Sequence, residues 1–125
     1  MTLQNQIYKC ETCGNIVEVL HTGMGTLVCC GKSMVLQKEN NKDFSQEKHI
    51  PVLTKNSEGI TVKVGSVEHP MTEEHYIEWI EIITDKEIAK KFLNPGEKPE
   101  ANFCVNGKLK ELRSYCNLHG LWKSQ

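Results

Sequence analysis

The sequence predicts a mainly β protein in two parts, a small metal-stapled module at the N-terminus followed by an antiparallel β-sandwich. Four of the six cysteines lie in the first 30 residues, in a stretch that is rich in glycine. From residue 49 onward, short apolar runs alternate with turn signals and show little helical periodicity. We therefore expect a metal module over residues 1–37 and a sandwich domain over residues 38–125.

The first part is too small to fold around an apolar core alone. It offers two short strand candidates, at 16–20 and 26–28, separated by glycines. A unit below about 40 residues usually needs a disulfide or a metal to hold it together, and the four cysteines are the obvious staple. Residues 38–48 are polar without a periodic apolar pattern, so they are predicted to be a linker.

The second part shows the period of two that is typical of strands with one buried face. Residues 60–64 alternate in this way, and 76–83 are rich in aromatic and β-branched residues, which predicts a more buried strand. Residues 85–92 are predicted to form one or two helical turns. Asn106-Gly107 is the strongest hairpin signal in the chain, between 103–105 and 108–115.

Composition excludes several classes of function. The net charge is −1 with 25% charged residues, whereas nucleic-acid-binding domains usually carry a strongly basic face. The apolar runs are too short to cross a bilayer, and the N-terminus lacks the pattern of a secretory signal. We expect a cytoplasmic protein that binds neither nucleic acid nor membranes.

The four N-terminal cysteines form the first constellation. Cys10 and Cys13 stand two residues apart before a glycine in KCETCGN, and Cys29 and Cys30 are adjacent in LVCCGK. Four thiolates can enclose one iron or zinc ion in a tetrahedron. Metal-free thiols or two disulfides are the alternative, which a reducing compartment disfavours. A site filled by four sulfurs leaves no position for substrate, so its role is structural or electron transfer.

The spacing does not separate iron from zinc in this site. A zinc ribbon would usually contain a second C-x-x-C pair, whereas the second pair here has no spacer. Adjacent cysteines cannot make the same turn as Cys10 and Cys13, so we expect an angularly distorted tetrahedron. Both metals accept four sulfurs, and zinc stays an alternative to iron.

The second constellation combines four of the five histidines with a cysteine. Its members are His49, His69, His75, His119 and Cys116. Each histidine alone is an ordinary surface or core residue, and His21 keeps that interpretation. Taken together they indicate a metal site, because C-x-x-H is a compact chelating pair and a set of imidazoles with a thiolate suits iron, copper or zinc.

The motifs EKHIPV, HPMTEEHYIEWI and YCNLHGLWK resemble the iron-site motifs of superoxide reductases. With KCETCGN and LVCCGK in front, the chain resembles the desulfoferrodoxins, the two-iron class of that family, over nearly all 125 residues. The resemblance implies a desulforedoxin-like module, an immunoglobulin-like sandwich domain similar to neelaredoxin, and one-electron reduction of superoxide to hydrogen peroxide in oxidative-stress defence.

The same resemblance implies two iron ions per chain and a role for each ligand. The four histidines would surround one iron in a plane, with Cys116 as the axial ligand and the sixth position open. Glu47 would occupy that position after oxidation, and Lys48 would stand beside it as a positive charge. The family further implies a rubredoxin-like electron donor and a homodimer.

Charge supports a role for Lys48 in attracting superoxide. The net charge of −1 cannot draw in an anion, and charges beyond about 8 Å are screened at physiological salt. Attraction must therefore come from the site itself, where a divalent ion with one thiolate keeps a positive charge.

Three alternatives stay open at this stage. The chain could be a non-catalytic iron electron carrier, a dismutase, or a reductase whose first site holds redox-silent zinc. Cys104 belongs to no motif, and we expect a buried thiol on a strand.

Overall fold

The computed structural model describes residues 1–41 and 49–124 and divides the chain into two compact units, Met1–Lys38 and Glu39–Gln125. Twelve β-strands and no helix lie within the described residues, which confirms the mainly β prediction. Glu47 and Lys48 lie outside the described residues. The part of the chain that the structure describes holds no helix long and apolar enough to cross a membrane.

The first unit contains five very short strands. They are β1 (Ile7–Lys9), β2 (Ile16–Glu18), β3 (Val28–Cys29), β4 (Lys32–Ser33) and β5 (Val35–Leu36). A three-stranded sheet has the order β2-β1-β5, and β3 pairs with β4 as a separate hairpin. Ile7, Cys10 and Val19 are its buried apolar residues among those described. So small an apolar core explains why this unit needs a metal ion or a disulfide to hold it together.

The second unit contains seven strands in two antiparallel sheets. The strands are β6 (Pro51–Asn56), β7 (Gly59–Val64), β8 (Ile77–Thr84), β9 (Ile88–Phe92), β10 (Glu100–Phe103), β11 (Leu109–Cys116) and β12 (Gly120–Lys123). One sheet has the order β10-β7-β6 and the other β12-β11-β8-β9. The predicted strands at 60–64 and 76–83 are found as β7 and β8.

The core of this unit fills the space between the two sheets. Val62 and Val64 of β7 face Ile80 and Ile82 of β8, and Cys116 at the end of β11 belongs to the same cluster. These aliphatic side chains are almost completely buried. Removing apolar surface from water contributes about 25 cal/mol per Å², so the core holds the sheet ends that carry the candidate ligands.

β8 is buried on both faces, and its second face carries an ion pair. Glu81 is 0% exposed and accepts hydrogen bonds from Nε and Nη2 of Arg113, the first at 2.7 Å. Lys90 on β9 lies 3.2 Å from the same carboxylate, and Glu39 lies 3.5 Å from Arg113. Buried charges are tolerated when they are paired and hydrogen-bonded in this way.

Two local predictions are wrong, for one topological reason. Residues 88–92 form strand β9 rather than helical turns, because pairing with β8 buries Ala89 against Ile82. Asn106-Gly107 is not a hairpin turn, since β10 pairs with β7 whereas β11 pairs with β8. It belongs to a connection between the two sheets.

Gly107 is nevertheless required at its position. Its φ is +101°, and a Cβ there would clash with Asp85 Oδ1 and lie 2.9 Å from Thr84 Oγ1. Only glycine adopts this backbone and allows so close an approach.

Two further expectations need correction. Cys104 is exposed and follows the last residue of β10, so it is not a buried strand thiol. The part of the predicted linker that is described also makes specific contacts. Asn40 forms a parallel bridge to Trp122, with backbone hydrogen bonds to Leu121 and Lys123 at 2.9 Å.

Candidate metal centres

The four N-terminal cysteines lie together at the ends of short strands. Cys10 follows β1, Cys13 stands in the next turn, and Cys29 ends β3. Cys30 adopts φ +54° and Gly31 φ +73°. A positive φ is uncommon for a residue other than glycine. Here it occurs at the second of two adjacent cysteines whose sulfurs belong to one cluster.

The sulfur distances fit a single tetrahedral ion. The four Sγ atoms all lie within 4.8 Å of one another. Cys13 and Cys29 are 3.6 Å apart, and Cys29 and Cys30 are 3.9 Å apart. A metal–sulfur bond of about 2.3 Å gives a tetrahedron with edges of about 3.8 Å. The donor set and its size therefore suit iron or zinc.

Backbone and side-chain donors point at these sulfurs. The amide of Cys13 donates to Cys10 Sγ at 3.4 Å, and that of Asn15 donates to Cys13 Sγ at 3.5 Å. Asn15 Nδ2 lies 3.7 Å from Cys29 Sγ. Such donors favour the thiolate form that binds metals.

The thiol pKa values diverge, as expected for sulfurs that share one site. The amide of Cys13 is the main cause that lowers the pKa of Cys10 to about 6. The side chain of Cys13, followed by those of Cys29 and Cys10, raises the pKa of Cys30 to about 12. Four metal-free thiolates would repel one another, so a bound cation is what allows all four to ionise together.

The second cluster is assembled from three segments of the sandwich unit, one of which supplies both Cys116 and His119. His49 precedes β6, His75 precedes β8, Cys116 ends β11, and His119 lies in the turn before β12. One ligand atom from each of these four residues lies within 4.8 Å of the others. Residues that are 70 positions apart in sequence thus meet at one end of the four-stranded sheet.

The distances within this cluster are those of groups that can share an ion. His49 Nε2 and His119 Nδ1 are 3.1 Å apart, and Cys116 Sγ is 3.7 Å from His119 Nδ1. Two nitrogens that bind one metal at about 2.1 Å and at right angles are about 3.0 Å apart. A set of imidazole nitrogens with one cysteine sulfur suits iron, copper or zinc.

His69 lies beside this group rather than within its closest set of ligand atoms. Its ring centroid is 4.6 Å from that of His49 and 4.7 Å from that of His75. His69 Nδ1 lies 2.8 Å from the carbonyl of Pro70. A hydrogen bond from Nδ1 to a backbone carbonyl leaves Nε2 as the basic nitrogen, the arrangement common in metal-binding histidines.

Trp122 and Ser114 position the histidines, and neither was predicted from the sequence. The Trp122 ring stacks on His49 with centroids 4.4 Å apart and 12° between the planes. Its Nε1–H donates to the His119 carbonyl at 3.1 Å, and Ser114 Oγ donates to the His49 carbonyl at 3.1 Å. The tryptophan in the C-terminal motif was visible, but nothing in a single sequence indicates which ring it contacts.

Asn117 connects two of the ligand-bearing loops. Its Oδ1 accepts from the Tyr76 amide at 2.9 Å, and its Nδ2 donates to the Glu74 carbonyl at 3.0 Å. The side chain therefore holds the segment around His75 against the turn that carries His119. This role too was missed, because asparagine after a cysteine is a common turn residue.

The cluster is buried on one side and open on the other. Cys116 is 0% exposed, and His49 and His69 are each 2% exposed. His75 is half-buried and His119 is exposed. A small solute can therefore approach from the side of His75 and His119, while the thiolate faces the core.

Both units match known proteins. The family described as desulfoferrodoxin matches residues 41–125, and the family described as the desulfoferrodoxin N-terminal domain matches residues 2–37. A desulfoferrodoxin from Syntrophotalea carbinolica is 59% identical over 96% of this chain and 95% of the relative. One from Nitratidesulfovibrio vulgaris is 56% identical over 100% of this chain and 99% of the relative.

A solved structure is similar over almost the same span. The crystal structure of the superoxide reductase from Treponema pallidum aligns with a TM-score of 0.80 at 31% identity. The alignment covers 96% of this chain and 97% of the other.

Proposed function

The chain belongs to the desulfoferrodoxin family, and we propose that it is a superoxide reductase with its reaction site at the histidine/cysteine cluster. The single observation that carries the proposal is this cluster, with imidazole nitrogens and one buried cysteine sulfur around a common point and an exposed side. The reaction adds one electron and two protons to superoxide and releases hydrogen peroxide.

We propose His49, His69, His75, His119 and Cys116 as the ligands of one iron ion, which would supply the one-electron redox couple. The ligands carry a single negative charge, from Cys116, because the imidazoles are neutral when they bind a metal. Fe²⁺ at this position therefore keeps a charge of +1. Superoxide is an anion, and a partly desolvated positive site attracts it more strongly than the same charge in water.

The side chains around the cluster are proposed to have separate roles in the capture of superoxide and after oxidation. The exposed His119 and half-buried His75 leave an approach for a small anion, whereas the core excludes water from the thiolate. We propose that Lys48 steers superoxide and positions the water that delivers a proton. We propose that Glu47 would supply a carboxylate ligand to the oxidised iron. These two roles come from the family resemblance.

We propose that Cys10, Cys13, Cys29 and Cys30 bind a second iron ion, with zinc as the alternative. Four sulfurs fill the coordination shell, so this site can store or pass an electron but cannot bind superoxide. Its second role is structural, because the apolar core of the first unit is too small to hold it.

The surroundings of the protein are also proposals. We propose a rubredoxin-like electron donor and a cytoplasmic location; the latter is supported by six free cysteines, which persist in reducing compartments. We propose a homodimer, supported by exposed apolar side chains in the first unit. Three of them are Leu20 at 75%, Met24 at 83% and Val28 at 62% exposure.

The product ratio tests the proposal and separates it from dismutation. The iron-loaded, prereduced protein is mixed with superoxide, and hydrogen peroxide and dioxygen are measured together. A reductase yields one hydrogen peroxide per superoxide and no dioxygen. Half a peroxide per superoxide with dioxygen indicates a dismutase, and unchanged superoxide decay indicates a non-catalytic electron carrier.

A further inference from the structure

We propose that a small acidic electron-transfer protein docks on strand β9 around Phe92, and that its electron reaches the histidine/cysteine centre from that side. The proposal rests on the proposed reductase function and adds the surface through which the reductant is recognised. It is based on a row of aromatic side chains, on exposure and on charge.

Three aromatic side chains lie in a lateral row across the four-stranded sheet. Tyr115 on β11 is the register partner of Trp79 on β8, and Trp79 is the partner of Phe92 on β9. The Tyr115 and Trp79 rings stack at 4.5 Å with 7° between planes, and Trp79 and Phe92 meet edge-on at 6.5 Å. Tyr115 directly precedes Cys116 in the chain.

This row is a short and closely packed connection. Neighbouring strands are about 4.8 Å apart, so two spacings place β9 about 10 Å from β11. One further peptide unit, about 3.8 Å between Cα atoms, leads from Tyr115 to the predicted thiolate ligand. Tyr115 is 2% and Trp79 7% exposed, so water does not interrupt the row.

The outer end of the row is open to solvent. Phe92 is 71% exposed and Ile88, on the same strand, is 41% exposed. β9 is an edge strand, since among the described residues it pairs with β8 alone. Single exposed apolar residues are common on protein surfaces. Phe92 differs because it is in ring contact with the buried row that ends beside Cys116.

The charge around this surface favours an acidic partner. Lys86 just before β9 and Lys91 near its end are both exposed at this edge of the sheet, and the ammonium of Lys90 lies 5.3 Å above the Trp79 ring. Residues 85–92 contain three lysines against the two acidic residues Asp85 and Glu87, which leaves an excess of one positive charge. Such a surface complements a negatively charged protein and accelerates its association at low salt.

The open side of the histidine/cysteine cluster, near His75 and His119, is less suited to docking of the same partner. Glu73 and Glu74, both exposed, immediately precede His75. They offset the positive charge that we propose for Lys48 and the metal, and a protein docked there would cover the approach that superoxide needs. Docking at β9 keeps the two reactants on different sides, so reduction and superoxide capture do not compete for one surface.

The step itself is an outer-sphere transfer. One electron leaves the reduced donor, which is oxidised by one unit, and arrives at the iron held by Cys116, which is reduced by one unit. No covalent bond forms or breaks.

A charge-reversal pair tests this surface. The oxidised iron-loaded protein is mixed with a reduced, acidic rubredoxin as the probe, and iron reduction is followed optically. We expect Lys86→Glu with Lys91→Glu to slow reduction at least tenfold, and the difference to shrink at high salt. Lys55→Glu with Lys63→Glu, two exposed lysines of the other sheet, is the matched control and should match wild type.

Two further measurements separate docking from function. Reduction by dithionite, and superoxide consumption by the prereduced variants, should equal wild type. A protein that fails to consume superoxide when prereduced contradicts the proposed function and leaves the docking result readable. An unchanged rubredoxin rate in the Lys86/Lys91 variant overturns the docking surface.

Complex formation provides a readout that is independent of iron and of any variant. Zinc-loaded rubredoxin is titrated into the ¹⁵N-labelled, zinc-loaded chain. We expect the largest amide shift changes within 86–92. Shift changes centred on 73–75 and 117–120 would place the donor over the open side of the histidine/cysteine cluster and refute the proposal.

Discussion

The indole of Trp122 lies almost parallel to the imidazole of His49, 4.4 Å away, while its N–H is bonded to the carbonyl of His119. One side chain therefore orients two predicted ligands that are 70 residues apart. This contact explains how a site built from distant segments can be preorganised before a metal binds.

Trp122→Ala is expected to weaken metal binding at the histidine cluster by about 10- to 100-fold, the usual effect of losing a side chain that orients a ligand. Trp122→Phe keeps a ring against His49 but loses the N–H donor, so we expect an intermediate affinity. Competition with a chelator measures both. Equal metal affinity in the alanine variant and wild type would show that Trp122 contributes packing alone and does not orient the ligands.

Cys13→Ser is expected to abolish metal binding at the four-cysteine cluster and to loosen the first unit, whose apolar core is very small. The histidine cluster should retain its metal, since its ligands all belong to the second unit. Cys104→Ser, which changes an exposed thiol outside either cluster, is the control. Metal analysis and amide hydrogen exchange measure the outcome. Full protection of residues 1–38 from amide exchange in the Cys13 variant would contradict the prediction that the metal ion holds the first unit together.

Glu111 is expected to make stability fall as the pH rises. Burial first, and then the neighbouring Glu39, raise the pKa of Glu111 to about 7, against the opposing effect of Arg113 and Lys123. Its value in an unfolded chain is about 4.3. Between these values the folded state keeps a proton that the unfolded state releases, so stability is lost as the pH rises through this window.

Glu111→Gln should therefore be more stable than wild type at pH 8, by about 1 kcal/mol once solvent screening of this half-exposed group is allowed for. The difference should vanish towards pH 4. Thermal unfolding of the metal-loaded proteins measures it, with the exposed Glu58→Gln as control. Parallel pH profiles for the Glu111 variant and wild type would rule out the effect.

Lys48→Ile is expected to slow superoxide capture about tenfold and to flatten its dependence on ionic strength, because a local positive charge steers the anion. Lys55→Ile, an exposed lysine on β6, should leave both unchanged. Pulse-radiolysis rates at two salt concentrations make the comparison. A Lys48 variant with the wild-type rate and salt dependence would refute steering.

The sequence was most informative where a pattern is local. The alternation at 60–64 and the apolar run at 76–83 predicted β7 and β8, because burial of one or both faces leaves a direct signature. The mainly β class was predicted from alternation and turn signals, and the family from short motifs. The spacing of the cysteines predicted a cluster whose sulfurs the structure places together.

Pairing partners were not predictable, since they depend on distant residues. Asn106-Gly107 has the composition of a hairpin turn, but Phe103 pairs with Ile60 in the other sheet and the turn becomes a connection between sheets. Residues 88–92 have no strong strand pattern because β9 is an edge strand with exposed side chains. The contacts of Trp122 with His49 and of Asn117 with Glu74 also join distant positions.

X-ray absorption at the iron edge shows whether four imidazoles and one thiolate meet at a single ion, and the iron-loaded Cys13→Ser protein is used so that one iron site is observed. We expect one sulfur and four imidazole nitrogens around the iron, with the sulfur lost in an added Cys116→Ser change. An iron shell without sulfur, or with fewer than four imidazoles, would contradict it.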